Sequence, residues 1–126
     1  MLGHIGITIN HKEDIQKFYI DLLGFAEVAD FEISQKISKI IFNIDESAPI
    51  TTLEKDGLYL ELFFCSNEVE PVYHHTALEL HDRKTFINRM KKNDYPVKIV
   101  AREEKHDLIF IEDHSGNKFE IGPARK

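Results

Sequence analysis

The sequence contains the same order of secondary structure twice, and this internal repeat limits the fold more than any other feature. Residues 4–9 (HIGITI) and 75–80 (HTALEL) alternate in polarity with the period of a β-strand. Residues 57–62 (GLYLEL) and 116–121 (GNKFEI) form a second matched pair, each with a glycine four residues before a glutamate. Each half therefore opens with a histidine and ends near a glutamate, which argues against an unstructured or all-helical chain.

Between the matched strands, each half contains one predicted helix and two further strands. Apolar residues recur every three or four positions over residues 15–22 and 86–90, and Gly24 and residues 93–96 (NDYP) are placed to end these helices. The other predicted strands, including those that end each half, are residues 25–33, 37–44, 58–64, 97–102, 107–112 and 118–121. The first half is the longer, and its extra residues fall around a predicted loop at residues 43–52.

These elements predict an α+β fold made of two strand–helix–strand–strand–strand modules. Module 1 covers residues 1–67 and module 2 covers residues 72–126, and together they form a single domain over residues 1–126. Residues 67–73, which include Pro71, are predicted to connect the modules.

The charge, apolar runs and cysteine content of the sequence limit the partners and the compartment expected for the protein. Lys and Arg total 16 against 22 Asp and Glu, and this net charge of −6 argues against a nucleic-acid or membrane-surface partner. No apolar run approaches the roughly 20 residues needed to span a bilayer. The single cysteine, Cys65, excludes an internal disulfide framework and fits a reducing compartment. We therefore expect a cytoplasmic protein.

Two histidines and two glutamates occupy equivalent positions in the two halves. Glu61 and Glu120 are each flanked by apolar residues, so on a strand both carboxylates point away from the core. The same parity holds for His4 and His75. His74 is a rival for His75, but the residues that follow His75 match those that follow His4.

A divalent metal ion would suit these four side chains. Two neutral imidazoles and two carboxylates around a dication sum to zero charge, whereas the carboxylates alone would repel each other. Nitrogen and oxygen ligands without thiolate suit zinc or nickel, with cobalt, manganese or iron also possible. We predict one divalent ion per site, held by His4, Glu61, His75 and Glu120, with positions left open for a small-molecule substrate.

The same residues resemble motifs of the vicinal oxygen chelate superfamily, which includes glyoxalase I, methylmalonyl-CoA epimerase, fosfomycin-modifying enzymes, extradiol dioxygenases and bleomycin-binding proteins. The similar stretches cover nearly the whole chain: residues 4–7 (HIGI), 18–19 (FY), 23–25 (LGF), 60–62 (LEL), 75–78 (HTAL) and 113–121 (DHSGNKFEI). The resemblance implies two βαβββ modules whose mixed sheet curls around the metal site. It also implies that the first and last strands of each module are neighbours, with His4 beside Glu61 and His75 beside Glu120.

In its ligand set the chain is most similar to glyoxalase I. This implies a metal-dependent lyase or isomerase that moves a proton on a bound α-oxo substrate through an enediolate, with Glu120 or Glu61 as the catalytic base. The chain departs from bacterial glyoxalase I at Thr8 and Cys65, where glutathione contacts are expected. The alternatives are a methylmalonyl-CoA epimerase-like enzyme, a fosfomycin thiol transferase-like enzyme, or a non-catalytic antibiotic-binding module. By analogy with the superfamily, we expect a homodimer.

Overall fold

Each half of the chain forms an open four-stranded mixed sheet in which the first strand pairs with the last. The computed structural model describes residues 2–68 and 74–124, and the chain divides into two units, Met1–Val69 and Glu70–Lys126. The predicted α+β class and the repeated strand order are confirmed. That both modules form one domain stays a prediction. The module boundary at residue 72, and the predicted connector from residue 69 to 73, lie outside the described residues.

The first unit contains four strands in the spatial order β1-β4-β3-β2. These are β1 (Ile5–Ile9), β2 (Ala26–Ile33), β3 (Ala48–Lys55) and β4 (Leu58–Phe64). β1 runs parallel to β4, whereas β3 is antiparallel to both β4 and β2. The parallel pairing of β1 with β4 is the contact that brings the first histidine and the first glutamate of the sequence repeat onto adjacent strands.

A helix of the π type follows β1 at Ile15–Leu22. Its last turn is marked by a hydrogen bond from the Leu23 N–H to the Phe18 carbonyl, five residues earlier. Gly24 then takes a φ of +84°, a left-handed conformation that favours glycine and ends the helix. Phe18 and Tyr19 are fully buried, so the predicted helix and its apolar stripe are confirmed.

The strand predicted over residues 37–44 is wrong. Helix α1 (Gln35–Phe42) occupies this segment, and the predicted loop over residues 43–52 is also too long, because β3 already begins at Ala48. The isoleucines of the segment favour a strand, but the two ends favour a helix. The Ser34 hydroxyl accepts a hydrogen bond from the Ile37 N–H at 3.2 Å, and Asn43 closes the helix in the left-handed conformation with φ 59°.

The second unit repeats the arrangement without an inserted helix. Its strands are β5 (His75–Leu80), β6 (Val97–Val100), β7 (Leu108–Glu112) and β8 (Lys118–Pro123), in the order β5-β8-β7-β6. Helix α2 (Arg83–Lys92) follows β5 and contacts β6 and β8. β5 runs parallel to β8, as β1 does to β4. All four predicted strands and the predicted helix of this half are present, with small differences at their ends.

The core faces of both sheets follow the predicted alternation. Leu60 and Leu62 are buried in β4, and Phe119 and Ile121 are buried in β8. The residues between them face the opposite side of their sheets. Within the described ranges, no helix combines the length and the apolar character that crossing a membrane requires.

Candidate metal centre

A histidine and a glutamate come together in the first unit. His4 immediately precedes β1, and its Nε2 lies 3.2 Å from Oε1 of Glu61 in β4. The residue directly opposite Glu61 is Gly6, so His4 reaches the carboxylate diagonally, from two residues earlier in the strand direction. Gly6 has no side chain to stand beside Glu61, and a Cβ there would contact the Phe63 ring at 3.4 Å. The His4 side chain is 54% exposed and that of Glu61 20% exposed, so the pair is accessible to a ligand.

The second unit contains the equivalent pair in the same register. His75 Nε2 lies 3.8 Å from Glu120 Oε1, and the residue opposite Glu120 is Ala77, two residues after His75. The side chains of His75 and Glu120 are 43% and 35% exposed. The prediction that the first and last strands of each half are neighbours is therefore confirmed, and the structure adds that the offset between histidine and glutamate is the same in both units.

The surroundings of the two pairs differ. Phe110 lies opposite Glu120 on the neighbouring strand, and its ring centroid is 5.5 Å from that of His75. The corresponding residue opposite Glu61 is Thr52. His75 is therefore packed against an aromatic ring, whereas the glutamate of the first unit has a small β-branched neighbour.

The donor atoms of each pair suit a divalent ion. With metal–ligand bonds of about 2.1 Å, two ligands separated by tetrahedral or octahedral angles lie about 3.0–3.4 Å apart. The 3.2 Å separation in the first unit falls within this range, and the 3.8 Å separation in the second needs a small contraction. In neither unit does the described part of the chain assemble three or more His, Cys, Asp or Glu side chains into a metal-binding group. Each unit thus brings together one histidine and one glutamate.

Two charged residues near the second pair have structural contacts. The Asp113 carboxylate is buried and accepts hydrogen bonds from the backbone N–H groups of Ser115 and Asn117, so it holds the turn between β7 and β8. Lys118 stands opposite His75 in the β5–β8 pair, and its Nζ lies 3.6 Å from Glu112 Oε1 in an ion pair.

A cavity of about 500 Å³ lies in the first unit and includes His4 in its lining. β1 contributes Thr8 and β4 contributes Phe63, with Cys65 directly after β4, while helix α1 contributes Ser38 and Phe42. Sequence reasoning did not find this cavity, because the segment that contributes Ser38 and Phe42 was expected to be a strand. The signal that was present is Ser34, a favoured helix-capping residue, with Asn43 nine positions later.

The sequence was compared with models of known protein families. The sequence model of the Glyoxalase/Bleomycin resistance protein/Dioxygenase superfamily matches residues 1–121. No curated protein matches the chain.

Several solved structures share the fold. The fosfomycin resistance protein FosX from Listeria monocytogenes matches with a TM-score of 0.76 and 15% identity, over 99% of this chain and 93% of that one. A glutamate-to-glutamine mutant of FosX, in complex with Mn(II) and 1S,2S-dihydroxypropylphosphonic acid, matches with a TM-score of 0.75 and 16% identity, over 99% and 90% of the two chains. A glyoxalase family protein from Enterococcus faecalis gives 0.74 and 17%, over 96% and 95%. At these identities the likeness shows the fold.

Proposed function

Because the chain belongs to the Glyoxalase/Bleomycin resistance protein/Dioxygenase superfamily, we propose that it is a metal-dependent lyase or isomerase that moves a proton on a small α-oxo substrate. His4, Glu61, His75 and Glu120 are its proposed ligands for one divalent ion. The observation that carries the proposal is the repeated His–Glu pair, which has the same strand pairing and the same two-residue offset in both units.

The four ligands favour proton transfer over other chemistry of the superfamily. When bound, a divalent ion polarises two adjacent substrate oxygens and stabilises the negative charge that forms when a neighbouring C–H bond loses its proton. Dioxygenases use two histidines and one carboxylate, whereas here each histidine has a glutamate beside it. Zinc and nickel are the proposed ions, with cobalt, manganese and iron as alternatives.

Glu120 is the proposed base. Its carboxylate is the more exposed of the two, and it lies farther from its histidine than Glu61 does. A carboxylate held less closely can turn toward a substrate C–H group and carry its proton to the adjacent carbon or oxygen. Glu61, nearer to His4, is proposed to remain a ligand.

The test combines metal content with proton exchange. Purified protein loaded with zinc or nickel should hold about one ion per site by elemental analysis. In D2O it should exchange the proton next to the carbonyl of α-oxo and α-hydroxy compounds, followed by NMR. Glu120→Gln should abolish exchange yet retain much of the metal, whereas Glu61→Gln should lower metal affinity. Glu32→Gln, on exposed strand β2, is the matched control and should change neither. Protein that takes up no ion under any loading condition contradicts the proposal.

A fosfomycin-type reaction is the second candidate, and the solved FosX structures favour it. One of them holds Mn(II) with a phosphonate that bears two adjacent hydroxyl groups. Fosfomycin-type enzymes need no ligand at the position of Glu61, so Glu61→Gln separates the candidates. The variant should retain fosfomycin modification, followed by phosphorus NMR, under the second candidate and lose proton exchange under the first. The same proton-exchange assay also tests two further alternatives, an epimerase that acts on CoA thioesters and a non-catalytic antibiotic-binding module.

A homodimer is part of the proposal. Helix α1 exposes the apolar side chains of Ile37, Ile40 and Ile41, and such clusters commonly mark contact surfaces. Sedimentation at micromolar concentration checks it, and a monomeric mass contradicts it. The cytoplasmic location, expected from the single cysteine, stays a prediction.

A further inference from the structure

The cavity of the first unit carries information about the substrate. It begins at His4, one of the proposed ligands, and continues between β1, β4 and helix α1. Its volume of about 500 Å³ lies within the usual range for small-molecule sites. From its lining we infer that it takes an uncharged, apolar substituent of the substrate, such as a phenyl group. This inference rests on the proposed function, because it treats His4 as part of the reaction site.

Two aromatic rings form a wall of the cavity. Phe42 of α1 and Phe63 of β4 meet edge to face, with ring centroids 5.5 Å apart. Ile33, Ile44 and Ala48 extend the apolar lining. Because Phe63 lies two residues after Glu61 on the same face of β4, this wall is adjacent to the proposed ligands. A phenyl or branched alkyl group would bury apolar area against these rings, which stabilises binding by about 25 cal/mol per Å².

Glu46 is the acidic residue of the described lining, and the other polar side chains are those of His4, Thr8, Ser38, Ser47 and Cys65. Ser38 is only 3% exposed and lines the cavity, so its hydroxyl offers the ligand a group that can donate or accept a hydrogen bond. Glu46 accepts a hydrogen bond from the Asn67 side chain at 3.4 Å and adds negative charge to the lining.

Apart from His4, the described lining contains no residue that can carry a positive charge. Two lysines of this unit have contacts elsewhere: Lys39 donates to the Asn43 side chain, and Lys55 donates to the Leu23 carbonyl. Lys12 lies over the ring of Phe64, a lining residue, with its Nζ 4.7 Å from the ring centroid, but is not itself part of the lining. Placing an anion beside Glu46 and two aromatic rings would remove its hydration without supplying a counter-charge. A carboxylate or phosphonate on this part of the substrate is therefore disfavoured.

Three compounds that share an α-hydroxy amide test the inference: mandelamide, 4-carboxymandelamide and lactamide. Full-length, isotopically labelled protein is titrated in the presence of a chelator, and backbone amide shifts of Thr8, Ser38 and Cys65 report occupancy of the cavity. Mandelamide should bind at least about tenfold more tightly than the other two, because only it combines the ring with neutrality.

Two variants assign this preference to the cavity. Phe42→Ala should reduce mandelamide binding by about fivefold or more, whereas Val28→Ala, which removes an apolar side chain exposed on β2, should not. Glu46→Lys should raise the affinity for 4-carboxymandelamide, whereas Glu27→Lys, the same charge change on exposed strand β2, should leave it unchanged. Circular dichroism confirms that each variant folds.

The outcomes separate this inference from the proposed function. Equal affinities for the three compounds, a preference for the carboxylated one, or no shifts at the cavity amides would overturn the inference. Selective binding of mandelamide, together with no proton exchange by the metal-loaded protein, would remove the proposed function and leave the inference standing. Proton exchange on anionic substrates, without a preference for the neutral ring, would support the proposed function and overturn the inference.

Discussion

The ring of Phe110 packs against the imidazole of His75, with centroids 5.5 Å apart and planes inclined by 60°. Phe110 also stands directly opposite Glu120 in the β7–β8 pair, so one side chain borders both proposed ligands of the second unit. We expect Phe110 to restrict the rotation of His75 and so to lower the entropy lost when His75 binds an ion.

Phe110→Ala should therefore weaken metal binding by about tenfold, the lower end of the effect of residues that support metal ligands. Competition with a chromogenic chelator measures the change. Phe31→Ala removes an exposed phenylalanine from β2 and serves as the control. Unchanged affinity in Phe110→Ala would show that the ring does not position His75.

Gly6 should tolerate alanine but not a large side chain. A Cβ at this position would lie 3.4 Å from Phe63 Cε2, an ordinary contact, so Gly6→Ala should fold and bind metal nearly as the parent protein does. Gly6→Leu would add a bulky side chain opposite Glu61, at a position that lines the cavity. Its mandelamide affinity should fall by about tenfold or more with the fold retained, measured by the same titration and by circular dichroism. Normal binding by Gly6→Leu would be inconsistent with a ligand at this face.

Ser34 is expected to control the stability of helix α1. Its hydroxyl accepts from the Ile37 N–H, and loss of such a cap costs about 1 kcal/mol. In Ser34→Ala, amide hydrogen exchange within α1 should become about fivefold faster, since 1 kcal/mol corresponds to about that factor. Ser34→Asn can still cap the helix and should behave like the parent protein. Equal exchange rates in Ser34→Ala would mean that packing alone holds α1 in place.

Asp82 should make stability depend on pH in the acidic range. Its carboxylate accepts a hydrogen bond from the Thr85 N–H at 3.1 Å at the start of α2. Hydrogen bonds from Thr85, with a smaller effect of the nearby Lys84, lower the pKa of Asp82 below its ordinary value of 3.8. Because the folded state holds the proton less tightly than the unfolded state, the contribution is complete above the ordinary pKa and is lost as pH falls through the lowered one.

Asp82→Asn retains a capping oxygen but does not titrate. Urea unfolding should show a difference in stability between the parent and Asp82→Asn that is constant near neutral pH and shifts against the parent as pH falls below about 4. Asp30→Asn, on exposed strand β2, is the control. A difference that stays constant down to pH 2 would contradict this role of Asp82.

The parts of the fold that the sequence predicts well are those with a clear period. Alternation places Leu60 and Leu62 on one face and Glu61 on the other, with the same parity around Glu120. The pairing of each glutamate with a histidine on the neighbouring strand followed only from the resemblance to the vicinal oxygen chelate superfamily. Helix α1 was missed because three of its eight residues are β-branched isoleucines, and the energy of its two caps outweighs that preference. The cavity was missed with it, since Ser38 and Phe42 line it from a helix that was expected to be a strand.

Helix α1, which lines the cavity, and the His4–Glu61 pair are carried by different parts of the first sheet. The segment from Ser34 to Ser47 connects the edge strand β2 to β3, whereas His4 and Glu61 belong to the paired segments at the other side of the sheet. Exchange of this β2–β3 connection for one of different length or composition should leave the β1–β4 ladder intact. New substrate preferences can therefore be engineered, or can evolve, in this connection while the residues proposed to bind the ion stay as they are.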